Sequence, residues 1–217
     1  MMALRPHGGR RGAWPAPPTA MAATGIALLA VAAFAPHPTQ PPPPPAARTP
    51  HTPATPPAGE DLPVLGPARP VRITVEDIGL DAAVDAVGTA DDGTIALPDQ
   101  GDHAGWYTAS PTPGQRGNAL LVGHVDTTRG PAVFYALGAL RKGDRIAVQR
   151  ADGSTAQFTV TTTNVYPQKR FPTETVYAPT TQPRLTLITC TDWDNATRTY
   201  TANLVITAHP EPKPGKS

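Results

Sequence analysis

Proline is the residue that most restricts how this chain can fold. Of the 29 prolines, roughly half lie between Pro36 and Pro70. Proline fixes φ and lacks a backbone N–H, and residues 36–70 have too few apolar side chains to build a core, so we predict an extended polyproline II linker. At about 3.1 Å per residue, such a linker reaches on the order of 100 Å. A ligand for proline-recognising modules is the alternative interpretation.

The segment before the linker has the pattern of a targeting sequence. A basic N-terminus, residues 1–19, precedes an uncharged apolar run at 20–35. This order is typical of a secretory signal or of an N-terminal membrane anchor. Pro36 would directly follow a signal-peptidase site at Ala33–Ala35, which favours an uncleaved anchor. Because the arginines keep residues 1–19 in the cytoplasm, we predict the rest of the chain at the extracytoplasmic face of the plasma membrane, or secreted if residues 1–35 are cleaved.

The chain after the linker has the pattern of a β-rich domain. Alternating apolar residues begin at Val71, and further strand segments are NALLV, RIAVQR, TAQFTVTTTNVY, RLTLITC and TYTANLVITA. About seven or eight strands separated by turn signals predict a closed β-barrel or a sandwich over residues 71–209, with a tail at 210–217. Apolar residues at helical spacing predict one helix within 131–144.

Charge and residue spacing exclude two kinds of ligand. The formal net charge is +1 and charged residues make up 16% of the chain, so no basic surface for nucleic acid is expected. The sequence contains no His, Cys and acidic cluster at metal-ligand spacing, and we predict neither a metal nor another cofactor. We expect a monomer.

The single cysteine, Cys190, ends the apolar segment RLTLITC. An extracytoplasmic chain with one cysteine cannot form an internal disulfide, so this thiol is inert, intermolecular or reactive. A free cysteine is often only a small buried hydrophobe. Its position just before the polar segment TDWDNATRT favours a nucleophile instead, because active-site residues concentrate where strands give way to loops.

A cysteine nucleophile needs a proton-transfer partner and a group that holds the oxyanion. His124 ends its own apolar segment, so two neighbouring strands could present His124 and Cys190 at one edge. Asp126 lies on the same side of an extended chain as His124 and could orient its ring. Arg198 opens the last strand on the face of Tyr200 and is the candidate cation. The structural alternatives are that His124 only forms local hydrogen bonds at a strand end and that Arg198 is only a solvated surface residue.

Two motifs make the chain resemble the sortase family of cysteine transpeptidases, most of all its class E/F branch. TLITC at 186–190 is similar to the family signature Thr-Leu-x-Thr-Cys, and GHVD at 123–126 to the segment around the catalytic histidine. Weaker similarities are IGLDAAVDAVG, GWY, PGQRGNALLVGH and AVFYALGALRKGD. The resemblance extends over roughly residues 70–208. It implies a mainly β fold, an eight-stranded sortase-type β-barrel with one or two short helices.

The resemblance also implies the site. Cys190 and His124 match the catalytic cysteine and histidine, and Arg198, in an Arg-x-Tyr sequence, is the expected catalytic arginine. The stretch TDWDNATRTY departs from the Gly-Gly-x-Phe-Asp pattern of class F, which puts the shape of the substrate groove in question. The residues expected to support the site or to bind substrate are Asp126, Thr189, Asp192 and Trp193.

The implied activity is cleavage of an LPxTG-like sorting signal after Thr, through a thioacyl intermediate on Cys190. The implied partners are surface proteins that carry the signal and an amine acceptor on a cell-wall precursor or peptidoglycan. An L,D-transpeptidase is disfavoured, because Ile188 and Thr189 stand where its Ser-x-Gly-Cys motif would be. A wall-binding module that kept a barrel without the chemistry is the non-catalytic alternative.

Overall fold

The computed structural model describes residues 64–211. The predicted N-terminal segment, most of the predicted linker and nearly all of the predicted tail lie outside the described residues. None of the helices within 64–211 is long and apolar enough to cross a membrane.

Ten strands and four short helical segments make up this part of the chain. The strands are β1 (Pro70–Val75), β2 (Leu80–Val87), β3 (Ala104–Tyr107), β4 (Gly117–Val122), β5 (Asp126–Thr127), β6 (Gly130–Pro131), β7 (Arg145–Arg150), β8 (Thr155–Pro167), β9 (Pro183–Asp194) and β10 (Thr199–Pro210). The 3₁₀ helices are Glu76–Ile78, Tyr135–Ala139 and Gln168–Arg170, and α1 is Thr173–Val176.

Eight of the strands close into a barrel in the order β1-β2-β3-β4-β9-β10-β8-β7, while β5 and β6 pair separately. The prediction of a closed, eight-stranded, mainly β barrel is confirmed. Most neighbouring strands are antiparallel, but β4 pairs with β9 in parallel, as β2 does with β3. The parallel pair β4 and β9 positions the two main residues of the candidate site, because His124 follows β4 and Cys190 lies on β9.

Alternation along each strand divides its side chains between the barrel interior and the outer face. On β9 and β10, Leu185, Leu187, Leu204 and Ile206 point inwards and are at most 2% exposed. The side chains that alternate with them point outwards, and some of these belong to a second cluster on the outer face. That cluster contains Val87, Val122, Val176, Ile188 and Val205, with Ile95, Ala96, Tyr166, Phe171 and Tyr177 packed against it.

The short helix predicted within 131–144 is present, and it has the 3₁₀ form. The segment forms the five-residue 3₁₀ helix Tyr135–Ala139. Phe134, Leu137 and Leu140 are fully buried, and backbone bonds link each to the next at 3.1–3.2 Å. A spacing of three residues fits 3.0 residues per turn, so the 3₁₀ form aligns all three side chains on the core. The short helix α1 was not predicted.

Candidate active site

The register of β4 against β9 brings Cys190 and His124 together. Val122 lies opposite Ile188, and both belong to the outer-face cluster. Two residues further along each strand direction come His124 and Cys190, and a period of two keeps them on the same face. The Gly123 N–H donates to the Ile188 carbonyl at 3.3 Å, so the two backbone segments stay adjacent beyond the end of β4. Adjacent strands are about 4.8 Å apart.

The sequence suggested that the strand carrying Cys190 ends at the cysteine. In the structure it does not. β9 continues to Asp194, whereas its neighbour β4 ends at Val122. The loss of the neighbouring strand, rather than the end of its own, therefore opens the surface beside Cys190. The thiol is free and half-buried.

The backbone around His124 is held at several points. The buried Thr189 hydroxyl donates to the Gly123 carbonyl at 2.8 Å, and the Phe134 N–H donates to the His124 carbonyl at 2.9 Å. A Cβ on Gly123 would lie 2.7 Å from atoms of both Phe134 and Val133. Only glycine fits here, so the chain reaches His124 in close contact with the 3₁₀ segment.

The His124 ring is oriented by a backbone carbonyl and not by Asp126. His124 Nε2 lies 3.0 Å from the carbonyl oxygen of Pro98, which is buried in the loop between β2 and β3. A carbonyl oxygen only accepts, so this contact places a proton on Nε2. In the neutral ring, Nδ1 then holds the lone pair.

Asp126 instead binds Tyr200. The Tyr200 hydroxyl donates to Asp126 Oδ2 at 2.6 Å, and the ring of Trp193 packs edge-on against Tyr200 with centroids 5.0 Å apart. Burial, the Asp126 hydrogen bond and the charges of Asp126 and Cys190 all raise the pKa of Tyr200. Tyr200 therefore remains a protonated donor beside the thiol.

The electrostatic environment favours the neutral form of Cys190. Burial raises the pKa of the Cys190 thiol, and the negative charge of Asp126 raises it further. Neither cause of this shift is a positive charge in the part of the chain that the structure describes.

Arg198 does not lie on the strand face where the sequence placed it. It is exposed in the turn before β10, with φ 55°, and its N–H donates to the Asp194 carbonyl at 2.7 Å. Thr199 pairs with Asp194, four positions from Cys190, which corresponds to about 13 Å along the strand. The catalytic role of Arg198 stays a prediction.

Asp192 and Trp193 make contacts within the β9–β10 hairpin. Asp192 has φ 62° and accepts a hydrogen bond from the Thr201 hydroxyl at 2.8 Å. Trp193 Nε1 donates to the Asn195 side-chain oxygen at 3.1 Å. Both side chains thus shape the hairpin next to Cys190.

Sequence reasoning missed two residues at this site, Tyr200 as the partner of Asp126 and Asn203. Asn203 lies directly opposite Cys190 in the β9–β10 register. The available signal was the turn, since centring it between Ala196 and Thr197 in the polar stretch fixes every pair in the hairpin.

A metal-dependent chemistry has no evident ligands here. Among residues 64–211, no group of three or more His, Cys, Asp or Glu side chains could hold a metal ion.

Comparisons with known proteins agree with the fold. The family model described as Sortase domain matches residues 73–211. Similar solved structures include a Clostridium perfringens sortase D5 transpeptidase, with TM-score 0.50 and 20% identity over 66% of this chain and 79% of that chain. Sortase C1 from Streptococcus agalactiae has TM-score 0.52 and 18% identity over 66% and 68% of the two chains. A lid mutant of sortase A from Corynebacterium diphtheriae has TM-score 0.52 and 20% identity over 69% and 74%.

At these identities the structures show a shared fold, and no curated protein matches the sequence significantly. The family model matches more than half of the chain and includes both motifs that carry Cys190 and His124. This chain belongs to the sortase family of cysteine transpeptidases.

Proposed function

We propose that this chain cleaves an LPxTG-like sorting signal after its threonine and transfers the surface protein to an amine of the cell wall. The observation that carries the proposal is the register that sets Cys190 beside His124 where β4 ends and β9 continues. A nucleophile with an adjacent proton carrier is what acyl transfer through a thioester requires. The identity of the signal rests on the resemblance of the two motifs.

The proposed reaction begins at the Cys190 sulfur. His124 Nδ1 accepts the thiol proton, and the sulfur attacks the threonine carbonyl carbon while the carbonyl electron pair moves to oxygen. When that pair returns, the C–N bond breaks, and protonated His124 gives its proton to the leaving glycine amine. The product is a threonyl thioester on Cys190. An acceptor amine, or water in its absence, then attacks the thioester and restores the thiol.

The outer face next to Cys190 supports a peptide as the substrate. Ile188 and Val205 are buried in the outer-face cluster, and Tyr166 and Phe171 are only partly buried beside them. Tyr166 and Phe171 meet edge-on with ring centroids 6.1 Å apart. This partly open apolar surface suits the leucine and proline side chains of an extended sorting signal.

We also propose that residues 20–35 anchor the protein in the plasma membrane and that the linker at 36–70 carries the barrel towards the wall. The support is the sequence order of basic segment, apolar run and proline-rich spacer. Deletion of residues 1–35 is expected to move the protein from the membrane fraction to the soluble fraction.

The central experiment is acylation of the full chain by a sorting-type peptide, followed by intact-protein mass spectrometry. We expect an adduct with the mass of the peptide up to its threonine, and its loss on addition of an amine acceptor. The matched control is Cys190→Ala, which removes the sulfur and retains the backbone. An adduct that persists in Cys190→Ala would contradict the proposal, as would a native Cys190 that resists alkylation, which indicates a binding module.

A further inference from the structure

The side chain directly across from the nucleophile is a neutral amide. Asn203 on β10 pairs with Cys190 on β9 in antiparallel register. Directly opposed side chains share a face of the sheet, with Cβ atoms about 4.5–5.5 Å apart. Asn203 is half-buried, and its carboxamide has no hydrogen-bond partner within residues 64–211. Its two N–H donors are therefore available next to the sulfur.

The same row of the outer face continues to β8. Tyr166 pairs with Asn203 from the other side, so Asn203 lies between Tyr166 and Cys190. Burial raises the pKa of Tyr166, which indicates that water is partly excluded there. A hydrogen bond from an amide to a developing charge is stronger at such a site than in bulk water.

Neither arginine that flanks Cys190 in sequence reaches this row. Arg198 is exposed in the hairpin turn, as described above. Arg184 lies six residues before Cys190 on β9, about 20 Å along the strand, and donates to the Ala178 carbonyl at 2.8 Å. The position opposite the sulfur thus belongs to Asn203 and carries no charge.

On the basis of the proposed function, we infer that the Asn203 carboxamide donates a hydrogen bond to the substrate carbonyl oxygen when Cys190 attacks the carbonyl carbon. In that step the sulfur–carbon bond forms and the carbonyl electron pair moves to oxygen. The Asn203 N–H stabilises the resulting oxyanion without transferring a proton. This hydrogen bond becomes stronger as negative charge develops on the carbonyl oxygen. It therefore lowers the activation barrier for acylation more than it strengthens substrate binding.

The test compares full-chain Asn203→Leu with Arg198→Ala. Leucine approximates the size of asparagine but has no donor, whereas alanine at 198 removes the charge predicted for this role. We expect Asn203→Leu to lower kcat for acylation by the sorting-type peptide about 10²- to 10³-fold with little change in KM. Arg198→Ala tests the competing assignment of the oxyanion role to the arginine, and the inference requires the larger loss to occur in Asn203→Leu.

Alkylation of Cys190 by iodoacetamide separates this role from a structural one. That reaction forms no oxyanion, so its rate is expected to be the same in Asn203→Leu and the parent. If Asn203→Leu unfolds, Asn203→Ala provides the same comparison. An acylation rate within about threefold of the parent in the folded variant, or a larger loss in Arg198→Ala than in that variant, would overturn the inference.

A second substrate keeps the inference testable apart from the sorting signal. p-Nitrophenyl acetate acylates a thiol through the same kind of tetrahedral oxyanion and needs no peptide recognition. If the parent reacts with the ester but with no sorting-type peptide, the proposed substrate is wrong, while the effect of Asn203→Leu on ester acylation still decides the role of Asn203. We expect the ester rate to fall by a similar factor.

Discussion

At the level of single residues, the site combines a thiol that resists ionisation with a negative charge close to it. Burial raises the pKa of Cys190, and the charge of Asp126 raises it further. The same carboxylate is bound by Tyr200 at 2.6 Å, which holds it in place. Asp126 therefore opposes formation of the free thiolate.

Asp126→Asn is expected to lower the pKa of Cys190. Asparagine removes the charge that disfavours the thiolate, so the pH profile of iodoacetamide alkylation should move to lower pH. Asp194→Asn is the matched control, since Asp194 lies four positions further along β9 and its carboxylate is bound within the hairpin turn. A profile that stays in place or moves to higher pH in Asp126→Asn would contradict this electrostatic role.

The sequence placed His124 and Cys190 at the ends of two apolar segments, and these segments lie next to each other in the barrel, while the catalytic roles of both residues stay predictions. It could not place Arg198, since that required the length of a turn whose end residue has positive φ. It also missed Asn203, because a residue opposite the nucleophile is defined by hairpin register and not by spacing along one strand. Side-chain partners such as Tyr200 and Asp126 join distant parts of the chain and leave no local pattern.

At the level of elements, the strands and the position of the short helix were predictable from the sequence, whereas the 3₁₀ form of that helix was not. The apolar spacing of the segment around Leu137 is shared by short helices of both types, and contact with the barrel selected the 3₁₀ form. This segment also holds the backbone of His124, through the bond from Phe134 and the close contact at Gly123. Its geometry thus bears on the catalytic site.

Gly123→Ala is expected to destabilise the protein by about 1–3 kcal/mol, the usual cost of overpacking. The new methyl group would meet Phe134 and Val133, two residues of the packed segment, at 2.7 Å. Because His124 follows directly, acylation should slow as well. Chemical denaturation and acylation kinetics measure the two effects.

Gly88→Ala is the control for that substitution, because nothing lies within 4 Å of a Cβ at Gly88. It should change neither stability nor acylation measurably. Equal effects of Gly123→Ala and Gly88→Ala would show that the contact with the 3₁₀ segment does not restrict the site.

At the level of the whole molecule, the last residues of the predicted linker are bound to the barrel domain by hydrogen bonds. The Leu65 N–H donates to the Gly114 carbonyl at 2.8 Å, and the Arg150 guanidinium donates to the carbonyls of Gly66 and Ala68. Arg150 is 2% exposed, so these carbonyls, together with Ser154 and Asp152, stabilise its positive charge in place of water. We therefore predict that the folded domain begins before its first strand.

Two truncations, which start the chain at residue 64 or at residue 70, test this boundary. The chain from 64 keeps every described bond to Arg150, so we expect the full chain's unfolding midpoint and the same acylation rate with a soluble peptide. The chain from 70 keeps all ten strands but leaves the buried guanidinium without the Gly66 and Ala68 carbonyls. Since hydrogen bonds to charged groups contribute about 1.5–3 kcal/mol each, it should lose at least about 2 kcal/mol in denaturant unfolding. Equal stability of the two truncations would place the start of the folded domain at β1.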